Sequence, residues 1–447
     1  MAETTQTTPR EQASGLAAYR LLLLYGPSGV TDGVCVLSDE ALRLGRSVAE
    51  GARGLALNHA EVSREHALLE PEPGGGFAVQ DLGSHNGTFV NRERVTRRVL
   101  AHGDVVRIGS CLLLFQALDS EACRRLLTTA RWPAYGLLGS GAGILAVREG
   151  VELAARTPEP VLITGESGVG KERVAAAIHA QSGRRGAFVA VNCAALPSAL
   201  AESELFGHVR GAFTGAANPN PGLFREADQG TLLLDEIGDM PLDLQAKLLR
   251  ALAVGEVRAV GASKTNHVDV KLVAATHVPL EAAVEAGRFR GDLYSRLLGT
   301  TIVVPPLRER REDILELARH FLERAELGST LDPDAAEALL VHDWPFNVRE
   351  LEQTAAQAGR AGSGNGVRFS DLPPRLRIPA TTTPSRAPLP TTLPQPVPGA
   401  TPSKQELEAA LEHFQGNVKR IAAFFKKERR DVYRWSERYG IDLERYR

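Results

Sequence analysis

PVLITGESGVGKERVAAAIH, residues 160–179, decides the fold of this chain. A short apolar run ends in Gly165, a glycine-rich turn follows, and Lys171 opens an amphipathic segment. The stretch therefore reads strand, loop, helix. In such a turn the backbone N–H groups of Gly168, Val169 and Gly170 can face a β-phosphate at a helix N-terminus, and Lys171 can reach the β- and γ-phosphates. The expected nucleotide cradle is Gly165, Glu166, Ser167, Gly168, Val169, Gly170, Lys171 and Glu172. The general pattern follows its lysine with Ser or Thr, whose hydroxyl holds Mg²⁺. Glu172 stands there instead, so the ion must lean on other groups.

A second stretch makes the reading specific. Residues 230–240, GTLLLDEIGDM, carry Leu232, Leu233 and Leu234 into Asp235 and Glu236. A continuous apolar run suits a parallel strand covered on both faces. Its acidic pair then sits at the carboxyl end, where open α/β sheets place their ligands. Asp235 is the expected Mg²⁺ residue, acting through water, and Glu236 the group that orients the attacking water on ATP.

Length and charge set the frame. The 447 residues suffice for two to four domains. A net charge of -2 exerts no global pull on nucleic acid, so any such contact must be a local patch. The four cysteines, Cys35, Cys111, Cys123 and Cys193, form no metal-ligand spacing and suit a reducing compartment. The first fifteen residues are polar, and the longest apolar-leaning stretch, near 136–147, is short and glycine-rich. The expectation is a cytoplasmic bacterial protein without a membrane partner.

Residues 19–117 alternate short apolar strands with turns, as a β-sandwich does: YRLLLLY, GVCVLS, LRLGR, HALLEP, GFAVQDL, GTFVN, DVVRIG and CLLLFQ. Their loops carry Arg46 after Gly45, then Ser63, Arg64 and His66, then GSHNGT with His85 and Asn86. This set resembles the forkhead-associated domain, whose loops bind phosphothreonine peptides. The resemblance implies that Arg46 and Ser63 hold the phosphate, Arg64 assists, Asn86 bonds the peptide backbone, and His66 braces the loops. His85 replaces the usual threonine of that family's turn and joins the expected peptide-binding set. Residues 118–136 form a connector, with 118–131 helical and a turn-rich break after it.

The core, 137–305, and the helical segment after it, 306–375, contain further motifs. They are ELFGH, GAFTGA at 211–216, FRGDLYSRL, VPPLRER and WPFNVREL. Together with the two nucleotide motifs they resemble the AAA+ core and lid of sigma-54-dependent transcriptional activators. In that family an ATP-driven hexameric ring presses the GAFTGA loop on sigma-54 bound to RNA polymerase. The resemblance implies contact with the sigma factor through Gly211, Ala212, Phe213, Thr214, Gly215 and Ala216, with Phe213 and Thr214 foremost. It makes Arg290 and Arg296 fingers reaching a neighbour's nucleotide, Arg349 the sensor arginine from the lid, and Asn192 the switch partner of Glu236. Phe346 replaces a usual glycine and His277 a typical asparagine. Asn347 followed by Glu350 reads as a helix-capping pair.

Residues 376–402 are rich in proline and threonine and read as an extended tether. Structure is expected to resume at 403–447, with a capping pair at Ser403 and Glu406, and helices over 418–425 and 429–439. Residues 419–438 hold eight Lys or Arg against three acids. Arg430, Arg434 and Arg438 recur every four residues, beside Arg429, while Val432 and Trp435 point inward. A major groove receives such a helix. GNVKRIAAFF and RRDVYRWSERYGI resemble the Fis-type helix-turn-helix of the same activators, which implies enhancer DNA as a partner.

The sum is a multidomain chain: β-sandwich, α/β AAA+ P-loop ATPase with helical lid, and small all-α helix-turn-helix. Two other functions fit the same residues. One is a DNA-bound repressor or sigma-54-independent regulator of this lineage; the other is a phosphopeptide-binding scaffold with a vestigial ATPase.

Overall fold

The computed structural model describes residues 16–26, 28–48, 53–128, 134–213, 216, 218–328, 330–362 and 366–377. Toward the C-terminus it describes 407, 411, 421, 422, 425, 427 and 429–439. Two compact units divide at residue 380, and the second is described by itself below.

Eleven strands build the sandwich: β1 (Leu16–Gly26), β2 (Gly29–Leu37), β3 (Leu42–Gly45), β4 (Gly54–Ala56), β5 (Ala67–Pro71), β6 (Phe77–Asp81), β7 (Thr88–Val90), β8 (Glu93–Val95), β9 (Arg97–Val99), β10 (Val105–Ile108) and β11 (Cys111–Asp119). They form one sheet in the order β2-β1-β11-β10-β7-β8 and a second in the order β4-β3-β5-β6-β9. The three-residue strands β4, β8 and β9 were not expected, because their alternation is too short and too polar to read. Leu21, Leu113 and Phe115 face the sandwich core with Leu44, Leu69 and Val79. The intervening Leu22, Leu24, Leu112 and Leu114 face the opposite way, since strand side chains alternate.

The connector helix α1 (Ser120–Leu127) follows β11 directly. Asp119 caps it, accepting a hydrogen bond from the Ala122 N–H at 2.7 Å. It is shorter than the helix expected over 118–131, because β11 keeps residue 118 and residues 129–131 lie outside those described. Next come α2 (Ala142–Arg156), β12 (Val161–Thr164), α3 (Lys171–Gln181), β13 (Phe188–Asn192), α4 (Ser198–Phe206), α5 (Leu223–Glu226) and β14 (Thr231–Asp235). The core continues through α6 (Leu242–Val254), a small ribbon of β15 (Glu256–Val257) and β16 (Asn266–His267), β17 (Lys271–Thr276), α7 (Leu280–Glu285), α8 (Gly291–Leu297) and β18 (Thr300–Val303). The five-stranded sheet β13-β14-β17-β12-β18 is parallel throughout. Its two faces are covered by separate apolar clusters, which is why Leu232, Leu233 and Leu234 are all fully buried.

The lid comprises α9 (Ile314–Arg324), α10 (Pro333–Val341), α11 (Asn347–Ala361) and α12 (Pro374–Arg377). Asp332 caps α10 by accepting from the Ala335 N–H at 2.6 Å, with Pro333 in the first turn. The lid's core is continuous with the second face of the sandwich: Leu22, Leu24, Tyr25, Leu112 and Leu114 share one cluster with Leu315, Leu339 and Trp344.

In the second unit, α13 (Arg429–Tyr439) forms where a helix was expected. Val432 and Trp435 are buried with Leu407, Leu411, Ile421 and Ala422, and Phe425 packs edge-on against Trp435. The expected tether over 378–402, the Ser403–Glu406 cap and most of the 418–425 helix lie outside the described residues.

Candidate active site

The site grows from three strand ends. Parallel pairing aligns Thr164 of β12 with Thr276 of β17, and Asn192 of β13 with Asp235 of β14. Gly165, Asp235 and His277 therefore emerge at one sheet edge. There a cleft of about 470 Å³ opens between the α/β core and the lid. Ser167, Gly168, Val169, Gly170, Lys171 and Glu172 line it, with Asp235 and Glu236 opposite and Val348 and Arg349 entering from the lid. Gly136, Leu137, Leu138 and Ile144 supply an apolar side.

Lys171 is buried in the first turn of α3, and its ammonium donates to the carbonyls of Gly165 at 3.0 Å and Glu166 at 3.3 Å. It also lies 3.6 Å from a Glu236 carboxylate oxygen. Glu236 sits at φ 52°, a left-handed backbone unusual for glutamate. Burial raises its pKa, but the His277 hydrogen bond and Lys171 outweigh this and hold the carboxyl below its usual range. Burial and the Glu236 charge push Asp235 up instead, and Asp235 Oδ1 is buried with no hydrogen-bond partner. An orphaned carboxylate oxygen beside a phosphate loop fits a divalent cation. Among the described residues no cluster of three His, Cys, Asp or Glu could hold a metal. With its unpartnered oxygen, Asp235 suits Mg²⁺, an ion that keeps several waters and needs only one or two carboxylates from the protein.

Three expectations need correction. Asn192 does not face Glu236: its side chain accepts from the Ala194 N–H at 2.9 Å, capping the short turn after β13. His277 takes that place, with Nδ1 2.6 Å from Glu236 Oε2 and its backbone N–H donating to the same oxygen at 3.3 Å. Asn347 does not cap α11: Phe346 does, with its N–H donating to Glu350 Oε2 at 3.2 Å. Asn347 is buried and ties core to lid, accepting from the Leu307 N–H at 2.8 Å and donating to Glu166 Oε2 at 3.1 Å and Ser167 O at 3.0 Å. Glu166 turns away from the cradle. Arg308 donates to both of its oxygens, at 2.9 and 2.5 Å, and that hydrogen bonding pulls the carboxyl down to about 2. Arg308 and Asn347 as lid latches escaped sequence reading, since neither carries a nucleotide signature alone.

Arg290 caps α8 and pairs with Asp292 at 2.7 Å, and Arg296 lies in its last turn, donating to Leu252 O at 3.3 Å. Both are exposed and away from the cleft of their own chain.

The 211–216 loop follows α4 in the chain. Gly211 adopts φ 81°, its N–H donates to Ala216 O at 2.9 Å, and the Ala216 N–H donates to Phe213 O at 3.0 Å. Phe213 is 37% exposed and lies edge-on to His208, ring centroids 5.0 Å apart. Ala212 packs near Gly261, while Thr214 and Gly215 lie outside the described residues.

On the sandwich, Gly45 passes so close to the neighbouring loop that a Cβ would lie 2.1 Å from Arg64 O. This puts exposed Arg46 beside Ser63 and Arg64. Ser63 Oγ accepts from the His85 N–H at 3.1 Å, and the Asn86 amide donates to Glu61 O at 2.7 Å. His66 is buried: Nδ1 accepts from the Ser63 N–H at 3.1 Å, so the Nε2 proton goes to Gly87 O at 3.1 Å. Burial lowers its pKa. The five expected phosphopeptide residues thus share one end of the sandwich. On α13, Arg430, Arg434 and Arg438 are exposed, Arg434 pairing with Asp431 at 2.9 Å and Arg438 lying over the Tyr439 ring. Of Arg429 only the backbone is described.

A phosphate loop, a strand-end acidic pair and a helical lid closing one cleft define a P-loop ATPase of the AAA+ class. Residues 137–303 match the Sigma-54 interaction domain, 308–388 the AAA+ ATPase lid domain and 42–109 the FHA domain. The chain is 41% identical to the Escherichia coli regulatory protein AtoC over 325 residues, 70% of this chain and 69% of AtoC. It is 49% identical to the DNA-binding transcriptional regulator NtrC of Salmonella typhimurium over 250 residues. That match covers 55% of this chain and about half, 53%, of NtrC. The crystal structure of NtrX from Brucella abortus in complex with ADP superposes with a TM-score of 0.51 at 31% identity, covering 71% of this chain and 72% of that one. The ATP complex of NtrX gives 0.50 at 33%. The chain belongs to the sigma-54-dependent transcriptional activators and is an AAA+ ATPase fused to an FHA sandwich.

Proposed function

We propose that this protein hydrolyses ATP as a hexameric ring to remodel the sigma-54 RNA polymerase closed complex, under control of phosphothreonine recognition by its sandwich. The observation that carries the reading is the cleft itself. Lys171, the Asp235–Glu236 pair and lid residue Arg349 converge there, in a chain that also presents the 211–216 loop. Lys171 and Arg349 hold the phosphates, and Glu236 orients the water for in-line attack. Mg²⁺, held at Asp235, would neutralise charge on the phosphates. Arg290 or Arg296 from a neighbouring subunit stabilises the charge that develops on the γ-phosphoryl group. Their exposure and distance from their own cleft support a role in trans, which in turn requires an oligomer. Hydrolysis shifts the lid against the core, and Phe213 and Thr214 deliver that movement to the sigma factor.

Arg46, Ser63, Arg64, His85 and Asn86 gather arginine, hydroxyl and amide donors that suit a phosphothreonine peptide. Arg430, Arg434 and Arg438, on the exposed face of α13, suit phosphates and guanines of enhancer DNA. No helix among the described residues is long and apolar enough to cross a membrane.

The test is ATP-dependent open-complex formation at a sigma-54 promoter, comparing wild type with Thr214→Ala. Opening by the wild type alone supports the reading. Opening without sigma-54, or by both proteins alike, rejects it. For the sandwich, Arg46→Ala should weaken a phosphothreonine peptide far more than its unphosphorylated form, and equal wild-type binding of the two would reject recognition of the phosphate.

A further inference from the structure

The sandwich meets the motor at three places outside the nucleotide and peptide sites. The first is the lid, where Leu24, Leu112 and Leu114 are buried in the lid's own core. Around that seam the Tyr25 hydroxyl donates to Leu331 O at 2.7 Å, and Arg107 pairs with Asp334 at 2.6 Å and with buried Glu337 at 2.8 Å. The second is the hinge between core and lid. Buried Arg20 donates to Gln116 Oε1 at 2.8 Å, and the Gln116 amide donates to Glu312 at 2.9 Å. Its neighbour Asp313 accepts the N–H groups of Ser140 and Gly141 at 2.8 and 3.0 Å, just beyond the apolar side of the cleft. The third is the core. From β11 the chain runs straight into α1, where Arg124 and Arg125 reach Glu149 of α2 at 3.0 and 3.1 Å.

One continuous element, β11–α1, therefore touches lid, hinge and α/β core. Nucleotide binds between the last and the first of these, so any change in their angle must strain that element. We propose that the sandwich face β1–β11–β10 is an interaction surface for the lid of its own chain, and that α1 makes it a strut restraining lid motion. The strut's two ends differ in strength. The lid seam is apolar and cannot part without wetting buried leucines. The α1–α2 end rests on partly exposed ion pairs, which stabilise less than the apolar seam and are weakened by salt. Release happens at α1, with the sandwich staying on the lid and turnover rising. This rests on the ATPase reading of the cleft.

Full-length Arg124→Ala/Arg125→Ala and Glu149→Ala proteins test the strut, with retained melting curves as the check on folding. Two quantities are read: amide hydrogen exchange of residues 307–313 without nucleotide, and steady-state ATP hydrolysis. Faster hinge exchange together with turnover raised about fivefold or more is expected in both variants. Hinge exchange equal to wild type overturns the strut, and so does a loosened hinge with unchanged or lower turnover. Absence of hydrolysis in every protein, wild type included, faults the ATPase reading, and hinge exchange then decides the strut alone.

Discussion

At Glu236 a single side chain connects strand geometry to chemistry. Its left-handed backbone and its bond to His277 aim it across the cleft toward Lys171. Glu236→Gln should lower turnover by about a hundredfold or more while fluorescent nucleotide still binds. His277→Ala should reduce kcat more than Asn192→Ala, because only His277 touches the carboxylate; the reverse order in steady-state assays would contradict this. A second residue carries a pH signature. Asp313 is fully buried, and burial with nearby Glu312 pushes its pKa from 3.8 to about 7, against the pull of Arg310. The folded chain thus holds a proton there that the unfolded chain has released. The stabilising contribution is complete below about pH 4 and is lost as pH rises through 7. Asp313→Asn keeps an acceptor for the Ser140 and Gly141 N–H groups. Compared with the variant, wild type should lose melting temperature progressively between pH 4 and 7.

Among the elements, the phosphate loop and the first turn of α11 are in direct contact. Gly168, at φ 78°, approaches the lid so closely that a Cβ would lie 2.3 Å from Phe346 O, while the Arg349 N–H donates to Gly168 O at 3.3 Å. Gly168→Ala would therefore strain the backbone and force loop from lid together. We expect ATP affinity to fall about tenfold or more, as read by equilibrium binding. The same closeness explains why Phe346 is accepted where glycine is usual: its carbonyl and N–H do the work, and its ring stays 64% exposed.

Across the whole molecule, sandwich and lid share one core and should unfold together. Arg107 compensates the buried carboxylate of Glu337 at their seam. Arg107→Ala leaves that charge unpaired and should cost about 3 kcal/mol in denaturant unfolding, whereas Arg107→Met with Glu337→Met should recover most of it. Separate sandwich and lid transitions in wild type would contradict a common core. A chain beginning at residue 137 strips the lid's apolar face, so self-association in light scattering is expected of it. Point changes at α1 report on regulation without that exposure.

The nucleotide cradle, the acidic strand end and the inward face of α13 were legible in the sequence because each depends on local order. A glycine turn after an apolar run, or apolar residues at helical spacing, leaves few foldings open. The docked sandwich leaves a local trace in the sequence: residues 21–24 and 112–115 are apolar on both strand faces, although an isolated sandwich needs only one. Which partner covers the second face was decided by tertiary structure, since strand alternation shows that a face is apolar and not what lies against it. The exchange of Asn192 for His277 at Glu236 was likewise settled by the register of β13, β14 and β17, which places strand ends far apart in sequence at one edge.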